Sequence, residues 1–285
     1  MPGTLFIVAT PIGNLEDITQ RALRILREVD LIACEDTRHT RKLLNHFGIG
    51  TATISYHERN EQDRAEELCE LLESGKNVAL VSDAGTPLIS DPGFRIVKTA
   101  AEREISVVPI PGVSAVTTAL SASGIPTDQF LFAGFLPARI GARRAKLNQL
   151  RETPATLVFY EAPHRIKATL TDAMEVLGNR EAVIARELTK LHEEFARGSL
   201  SELLDRFSGS EVARGEMVLI ISGHSDSVAS TETTSRENQL LKRIDELQHE
   251  GLEQKAALKQ AAKELGLKRD EAYRIVVSQK NRRSK

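Results

Sequence analysis

The residues best placed to do chemistry are concentrated at 82–93, which read Ser82-Asp83-Ala84-Gly85-Thr86-Pro87-Leu88-Ile89-Ser90-Asp91-Pro92-Gly93. Asp83 and Asp91 offer carboxylates. Gly85 lets backbone come close to a bound group, because no side chain stands in the way. Pro87 and Pro92 stiffen the run by fixing φ. Asp83-Ala84-Gly85-Thr86 reads as a ligand loop. Asp91-Pro92 reads instead as the N-cap and first position of a following helix. A second set is Glu187 and Lys190, three apart after a strand. A lysine serves as a base when desolvation or neighbouring positive charge lowers its pKa, whereas a close carboxylate favours its charged form. The ordinary alternative for this pair is a structural salt bridge. Glu35, Asp36, Arg38, Glu161 and Arg165 are further polar groups at loop ends, and Arg38 and Arg165 are suited to phosphates.

These residues need elements to hold them, and the chain supplies strands and helices in alternation. Short apolar runs end just before most of the candidate loops: Thr4–Ala9, Asp30–Cys34, Ala52–Ser55, Lys76–Val81 and Ile105–Val108. Helical periodicity follows at Thr19–Glu28, up to His46, at Glu61–Ser74 and at Phe94–Arg103. Such alternation predicts a largely parallel sheet covered on both faces, whose ligands sit beyond the carboxyl ends of its strands. After Ser123–Asp128 the pattern restarts. Strands are expected at Phe130–Phe135, Ala155–Tyr160, Ala182–Glu187 and Glu216–Ser222, with Glu193–Arg197 as a further pairing segment. Helices are expected at Arg143–Arg151, up to Leu177, and at Leu200–Phe207. The expected organisation is an α/β domain over 1–122, a second over 123–224 with a more mixed sheet, a Ser/Thr-rich linker over 225–236 and a helical domain over 237–285. The run 257–267 and the helix after it have the look of a helix-turn-helix. Ser114 stands before a helix, where it either caps the helix or faces the cleft between the two α/β domains.

Charge is unevenly spread. Residues 255–285 hold ten Lys and Arg against three acids, while the whole chain of 285 residues carries −2, so the remainder is at −9. A basic end on an acidic body suggests contact with a polyanion. Lys263, Lys268, Arg269 and Arg274 are its candidate contacts, and Arg139, Arg143, Arg144 and Lys146 form a second basic stretch. Cys34 and Cys69 form no C-x-x-C pair and read as buried thiols. There is no basic n-region before an apolar start and no run as long as a membrane span, so a cytoplasmic protein is expected. No pair of His or Cys has metal-ligand spacing, and no metal is expected. Thr10-Pro11-Ile12-Gly13-Asn14 is neither G-x-G-x-x-G nor a Walker loop, which speaks against a dinucleotide oxidoreductase or an NTPase.

Six motifs occur in order: Thr10-Pro11-Ile12-Gly13-Asn14-Leu15-Glu16-Asp17-Ile18, Cys34-Glu35-Asp36-Thr37-Arg38, Ser82-Asp83-Ala84-Gly85-Thr86-Pro87, Pro111-Gly112-Val113-Ser114-Ala115, Phe135-Leu136-Pro137 and Tyr160-Glu161-Ala162-Pro163-His164-Arg165. Together they resemble the small-subunit ribosomal RNA methyltransferase group of the tetrapyrrole methylase superfamily over residues 4 to 222. The resemblance implies two α/β domains with S-adenosylmethionine bound bent between them, and a homodimer. It implies 2'-O-methylation of a cytidine ribose in the decoding centre of 16S rRNA, in the small ribosomal subunit. It also puts Pro11, Gly13, Asp83, Ala84, Gly85, Thr86, Ser114, Ala115, Glu161, Ala162 and Met217 at the cofactor. Beside such a cleft Arg38 and Arg165 are the candidates for RNA phosphates and Arg139, Arg143 and Arg144 for a grip on RNA, the ordinary alternative being a solvated surface charge or helix face; Glu187 and Lys190 are the candidates to meet the methyl acceptor. The first loop departs from the tetrapyrrole enzymes: the acid of their Gly-Pro-Gly-Asp core is Asn14 here. That fits the RNA branch. Two other readings stay open, a small-molecule methyltransferase of the same fold and a helix-turn-helix regulator with an α/β ligand sensor.

Overall fold

The computed structural model describes residues 1–209, 215–224, 240, 242–244, 246–248, 252 and 254–264. Strands β1 (Thr4–Val8), β2 (Leu31–Cys34), β3 (Thr53–Ser55), β4 (Val78–Val81) and β5 (Ser106–Ile110) form one parallel sheet in the order β3-β2-β4-β1-β5. β4 lies at its centre, and all four of its residues are buried. A strand covered on both faces must be apolar throughout, which is why Val78-Ala79-Leu80-Val81 does not alternate. Helices α1 (Gln20–Glu28), α2 (Thr37–His46), α3 (Glu61–Glu73) and α4 (Phe94–Glu102) complete this half, packed in two apolar layers on either side of the sheet.

The start of α4 corrects the sequence expectation. Gly93, not Asp91, is its N-cap residue, and no side chain of its own caps it. Glu61 of α3 does so from a distance, its Oε1 accepting from Gly93 N–H at 3.1 Å and Arg95 N–H at 3.2 Å. The Tyr56 hydroxyl, 3.2 Å from the same oxygen, accepts from Ile96 N–H at 3.3 Å. A carboxylate at a helix N-terminus is favoured by the orphan amides and the dipole together, so Asp91 is left for other work.

α5 (Ala115–Ser123) leads into the second half, where β6 (Phe130–Phe135), β7 (Thr156–Glu161), β8 (Glu181–Arg186), β9 (Glu194–Ser199) and β10 (Met217–Ile221) form a mixed sheet in the order β6-β7-β10-β8-β9. Only β6 and β7 are parallel. α6 (Ile140–Leu150), α7 (Ile166–Leu177) and α8 (Leu200–Arg206) cover one face. The other face is covered by α5, whose Val116, Ala119 and Leu120 pack on Val158, Val183, Val218 and Ile220. Arg197 of β9 donates to the carbonyls of Ala122 and Ser123 at the carboxyl end of α5, where a cation is favoured. α5 thus joins the two sheets into one compact unit, Met1–His224.

Residues 225–285 form a second unit. Within it α9 (Gln254–Glu264) buries Ala257, Ala261 and Ala262 with Leu240, Ile244 and Leu247. The expected linker over 225–236, the helix after 267, and Lys268, Arg269 and Arg274 lie outside the described residues, as does the side chain of Lys263. Among the described residues no helix is long and apolar enough to cross a membrane.

Candidate active site

The loops after β1, β4 and β5 meet at one edge of the first sheet. Thr10 and Gly85 exchange backbone hydrogen bonds, Thr10 N–H to Gly85 O at 2.8 Å and Gly85 N–H to Thr10 O at 2.9 Å. Gly85 sits at φ +81, in the left-handed region where a side chain is strained. This bridge lays Ile12 over Gly85 and ties the first loop to the fourth. Opposite, the ends of β7, β8 and β10 supply Tyr160, Glu161, Glu187 and Met217. Between the two sets lies a cavity of about 390 Å³, of the size that takes a small ligand.

Most of the residues assigned to the cofactor line it: Asp83, Ala84, Gly85, Thr86, Ser114, Ala115, Glu161, Ala162 and Met217. So do Glu187 and Lys190. Ser114 stands at the N-cap of α5 without a side-chain capping bond, so its hydroxyl is not spent on the helix. Pro11 and Gly13 do not line the cavity. Gly13 packs instead under Lys190 and Thr189, where an added Cβ would stand 2.6 Å from Lys190 Cγ. Asn14 N–H donates to Thr189 Oγ1 at 3.1 Å. The first loop therefore braces the turn that carries Lys190, whose Nζ donates to Glu187 Oε1 at 3.0 Å. Glu187 and Thr189 both adopt positive φ there, 51° and 66°, which turns the two ends of the pair back toward each other.

The electrostatics of the cavity are set by carboxylates that sequence reasoning did not combine. Asp91 lines it, and burial pushes its carboxyl up to about 6, with the charges of Glu35, Asp83 and Glu216 adding to the rise and the Ser82 hydroxyl opposing it. Burial likewise raises Glu35, helped by Asp83 and Glu58. The Tyr160 phenol is pushed up to about 12 by burial and by the charges of Asp91 and Glu216. Asp83, Asp91 and Glu216 line the cavity with no ion pair among the described residues, and a wall of this kind favours a cation. S-adenosylmethionine, a sulfonium with an ammonium group, fits that donor set in charge, and the bare backbone at Gly85 fits its close approach. Among the described residues no group of three His, Cys, Asp or Glu could hold a metal.

Some expected residues are committed elsewhere. Arg143 is 5% exposed; its guanidinium contacts Asp172 Oδ2 at 2.6 Å and donates to Ala138 O at 3.1 Å. It therefore presents no charge to RNA, and that expectation is corrected. Arg144 shares Asp172 and also pairs with Glu175. Arg165 is turned inward as well, donating to Leu136 O and standing 3.3 Å from Glu161 Oε1, so it holds the loop after β7 rather than a phosphate. Glu161 is buried, and its oxygens accept from Ala162 N–H, at 2.8 Å, and from the Thr169 hydroxyl. It shapes the wall and has little left for a ligand. Arg38 is exposed and bidentate to Asp36, and Arg139 is exposed with no ion pair among the described residues. Sequence reasoning gave Asp91 to a helix cap and no site role to Phe135, Tyr160 and Glu216, yet all four line the cavity.

Comparison with known proteins agrees with this fold. The family described as Tetrapyrrole (Corrin/Porphyrin) Methylases matches residues 4–204. A protein of Halalkalibacterium halodurans called ribosomal RNA small subunit methyltransferase I is 47% identical over 273 residues, 96% of this chain and 94% of its own. One of the same name from Pseudomonas aeruginosa is 53% identical over 223 residues, 78% of this chain and 79% of its own. Among solved structures, the uroporphyrin-III C-methyl transferase of Thermus thermophilus in complex with S-adenyl homocysteine superposes with a TM-score of 0.54 at 19% identity. That alignment spans 76% of this chain and 97% of the other, and it speaks for the fold.

Proposed function

Because this chain belongs to the tetrapyrrole methylase family, and within it to the ribosomal RNA small subunit methyltransferase I group, we propose that it methylates the 2'-hydroxyl of a 16S rRNA cytidine, cytidine 1402, from S-adenosylmethionine. The observation that carries this reading is the carboxylate-rich cavity between the two sheets, built from the motifs that mark the group. When bound, S-adenosylmethionine supplies an electrophilic methyl group on a sulfonium centre. The residues of this chain align the acceptor with it, and alignment provides much of the acceleration. Asp83, Ala84, Gly85, Thr86, Ser114, Ala115, Ala162 and Met217 hold the cofactor. Glu187 would take up the proton of the acceptor hydroxyl as its oxygen attacked the methyl group and the bond from that methyl to sulfur broke, the thioether leaving; Lys190, ion-paired to Glu187, would hold that carboxylate in place.

Arg38, Arg139 and the basic residues of 255–285 hold the RNA backbone in this proposal, supported by their exposure or by the charge of the sequence. The enzyme works on small ribosomal subunits in the cytoplasm. A homodimer is part of the same reading, and the exposed Phe130 and Leu131 on the edge strand β6 support it.

The test is transfer of labelled methyl to small subunits that lack the modification, followed by digestion to nucleosides. Label in 2'-O-methylcytidine is expected. Label in a base would overturn the ribose as acceptor; no label despite bound cofactor would overturn the RNA acceptor and favour a small molecule.

A further inference from the structure

One ring at the mouth of the cavity takes no part in the methyl transfer itself. Phe135 ends β6, lines the cavity and is still 55% exposed. Its position is not what a regular strand would give. β6 and β7 pair Phe132 with Val158 but Phe135 with Tyr160, so three residues on β6 match two on β7. The extra residue is a β-bulge, with Gly134 at φ +64. Strand side chains alternate, so without the bulge Phe132 and Phe135 would point to opposite faces. With it, both reach the same neighbour: the Tyr160 ring lies 4.8 Å from Phe132 and 5.5 Å from Phe135, centroid to centroid. The bulge also abuts the loop after β4, since a Cβ on Gly134 would stand 3.3 Å from Ser90 Oγ.

The fold therefore spends a bulge and a left-handed glycine on holding a phenyl ring at the lip of the site. The ring is braced by Tyr160 and open to solvent elsewhere. Burial would be the ordinary fate of such a ring. Arg139 follows four residues later, exposed and without an ion pair among the described residues. Where proteins hold an unstacked nucleotide, an exposed ring takes the base and a nearby cation the phosphate, and here the two residue types stand four apart in the chain. A ribose can enter the cavity only if its base is drawn out of the RNA stack and received somewhere outside.

We propose that Phe135 is the platform on which the base of the target nucleotide stacks while its ribose enters the cavity. The proposal rests on the RNA-methyltransferase reading and deepens it. Phe135 is a positioning residue here; it takes no part in bond making.

The chain has no tryptophan, so Phe135→Trp introduces a single fluorescent ring at this site. Four proteins are compared: wild type, Phe135→Ala, Phe135→Leu and Phe135→Trp. Each is measured for S-adenosyl homocysteine affinity, for kcat/KM of methyl transfer to unmodified small subunits, and for sedimentation. Loss of one base–aromatic stack predicts a fall in kcat/KM of about ten- to hundredfold for Ala and for Leu, with cofactor affinity and sedimentation unchanged. Phe135→Trp is expected to retain activity, and its fluorescence to be quenched by a short cytidine-containing oligoribonucleotide but not by the same strand with an abasic site. A fully active Phe135→Leu, a parallel loss of cofactor affinity, or a change of oligomeric state would each overturn the platform. The last would make the ring a subunit contact. Failure of the wild type to label subunits would refute the function itself, which separates the two.

Discussion

At the scale of single residues the most informative group is Asp91. Its carboxyl is raised from an ordinary 3.8 to about 6 by burial and by the surrounding charges of Glu35, Asp83 and Glu216. A group that binds its proton more tightly when folded stabilises the fold while it is protonated. That contribution is complete below pH ~4 and is lost as pH rises through about 6. Asp91→Asn should therefore melt higher than wild type at pH 7.5, by on the order of 1 kcal/mol once solvent screening at a half-buried site is allowed for. The two proteins should converge near pH 4. The same carboxylate should favour a cationic ligand only when ionised. Affinity for S-adenosylmethionine should fall between pH 7 and pH 5, and that for the uncharged thioether product should fall less. Melting curves and calorimetric titrations at these pH values check both. Asp83-Ala84-Gly85-Thr86 could be read from sequence because its signal is local: an apolar strand, then a glycine and a carboxylate at the strand end. Asp91 was misread because Asp-Pro is also a local cap signature. The competitor for that cap, Glu61, comes from another helix thirty residues earlier, and no local pattern announces it.

At the scale of elements, the strands and helices of residues 1–224 were legible to within about three residues, because each pairs a clear period with a clear stop. What decided the function of the basic stretch was instead a tertiary contact. Arg143 and Arg144 look alike in sequence, yet one is buried on Asp172 and the other is partly exposed beside Asp172 and Glu175. The pair ties α6 to α7. Asp172→Ala leaves Arg143 buried without its partner, and should cost about 3–5 kcal/mol, read as a lower melting temperature or denaturant midpoint. RNA affinity of the folded fraction should stay as it was. A loss of RNA affinity at unchanged stability would return Arg143 to the interface. The bulge in β6 belongs at this scale too. Gly134 within an apolar strand is the one sequence mark it leaves, and that mark does not say which side chain the bulge will turn.

At the scale of the whole molecule, two sheets of different design make one site. The parallel sheet gathers its loops at the carboxyl edge, and the mixed sheet, with α5 packed on one face, closes over them. The charge of the chain divides along the sequence, −9 before residue 255 and +7 from there on, and we propose that the acidic part holds the cationic cofactor and the basic end a polyanion. The central claim is that this cleft holds the cofactor. Ala84 lies on its lip, exposed and without a positive φ, so a larger side chain there fills the cavity without straining the backbone. The direct measurement is a calorimetric titration of S-adenosyl homocysteine into wild type and Ala84→Trp, with thermal melting as the control for folding. Wild type should bind one equivalent per chain. The variant should melt alike but bind about tenfold or more weakly, as overfilling a packed site costs ~1–3 kcal/mol. Equal affinity in the two proteins would place the cofactor elsewhere and contradict the account.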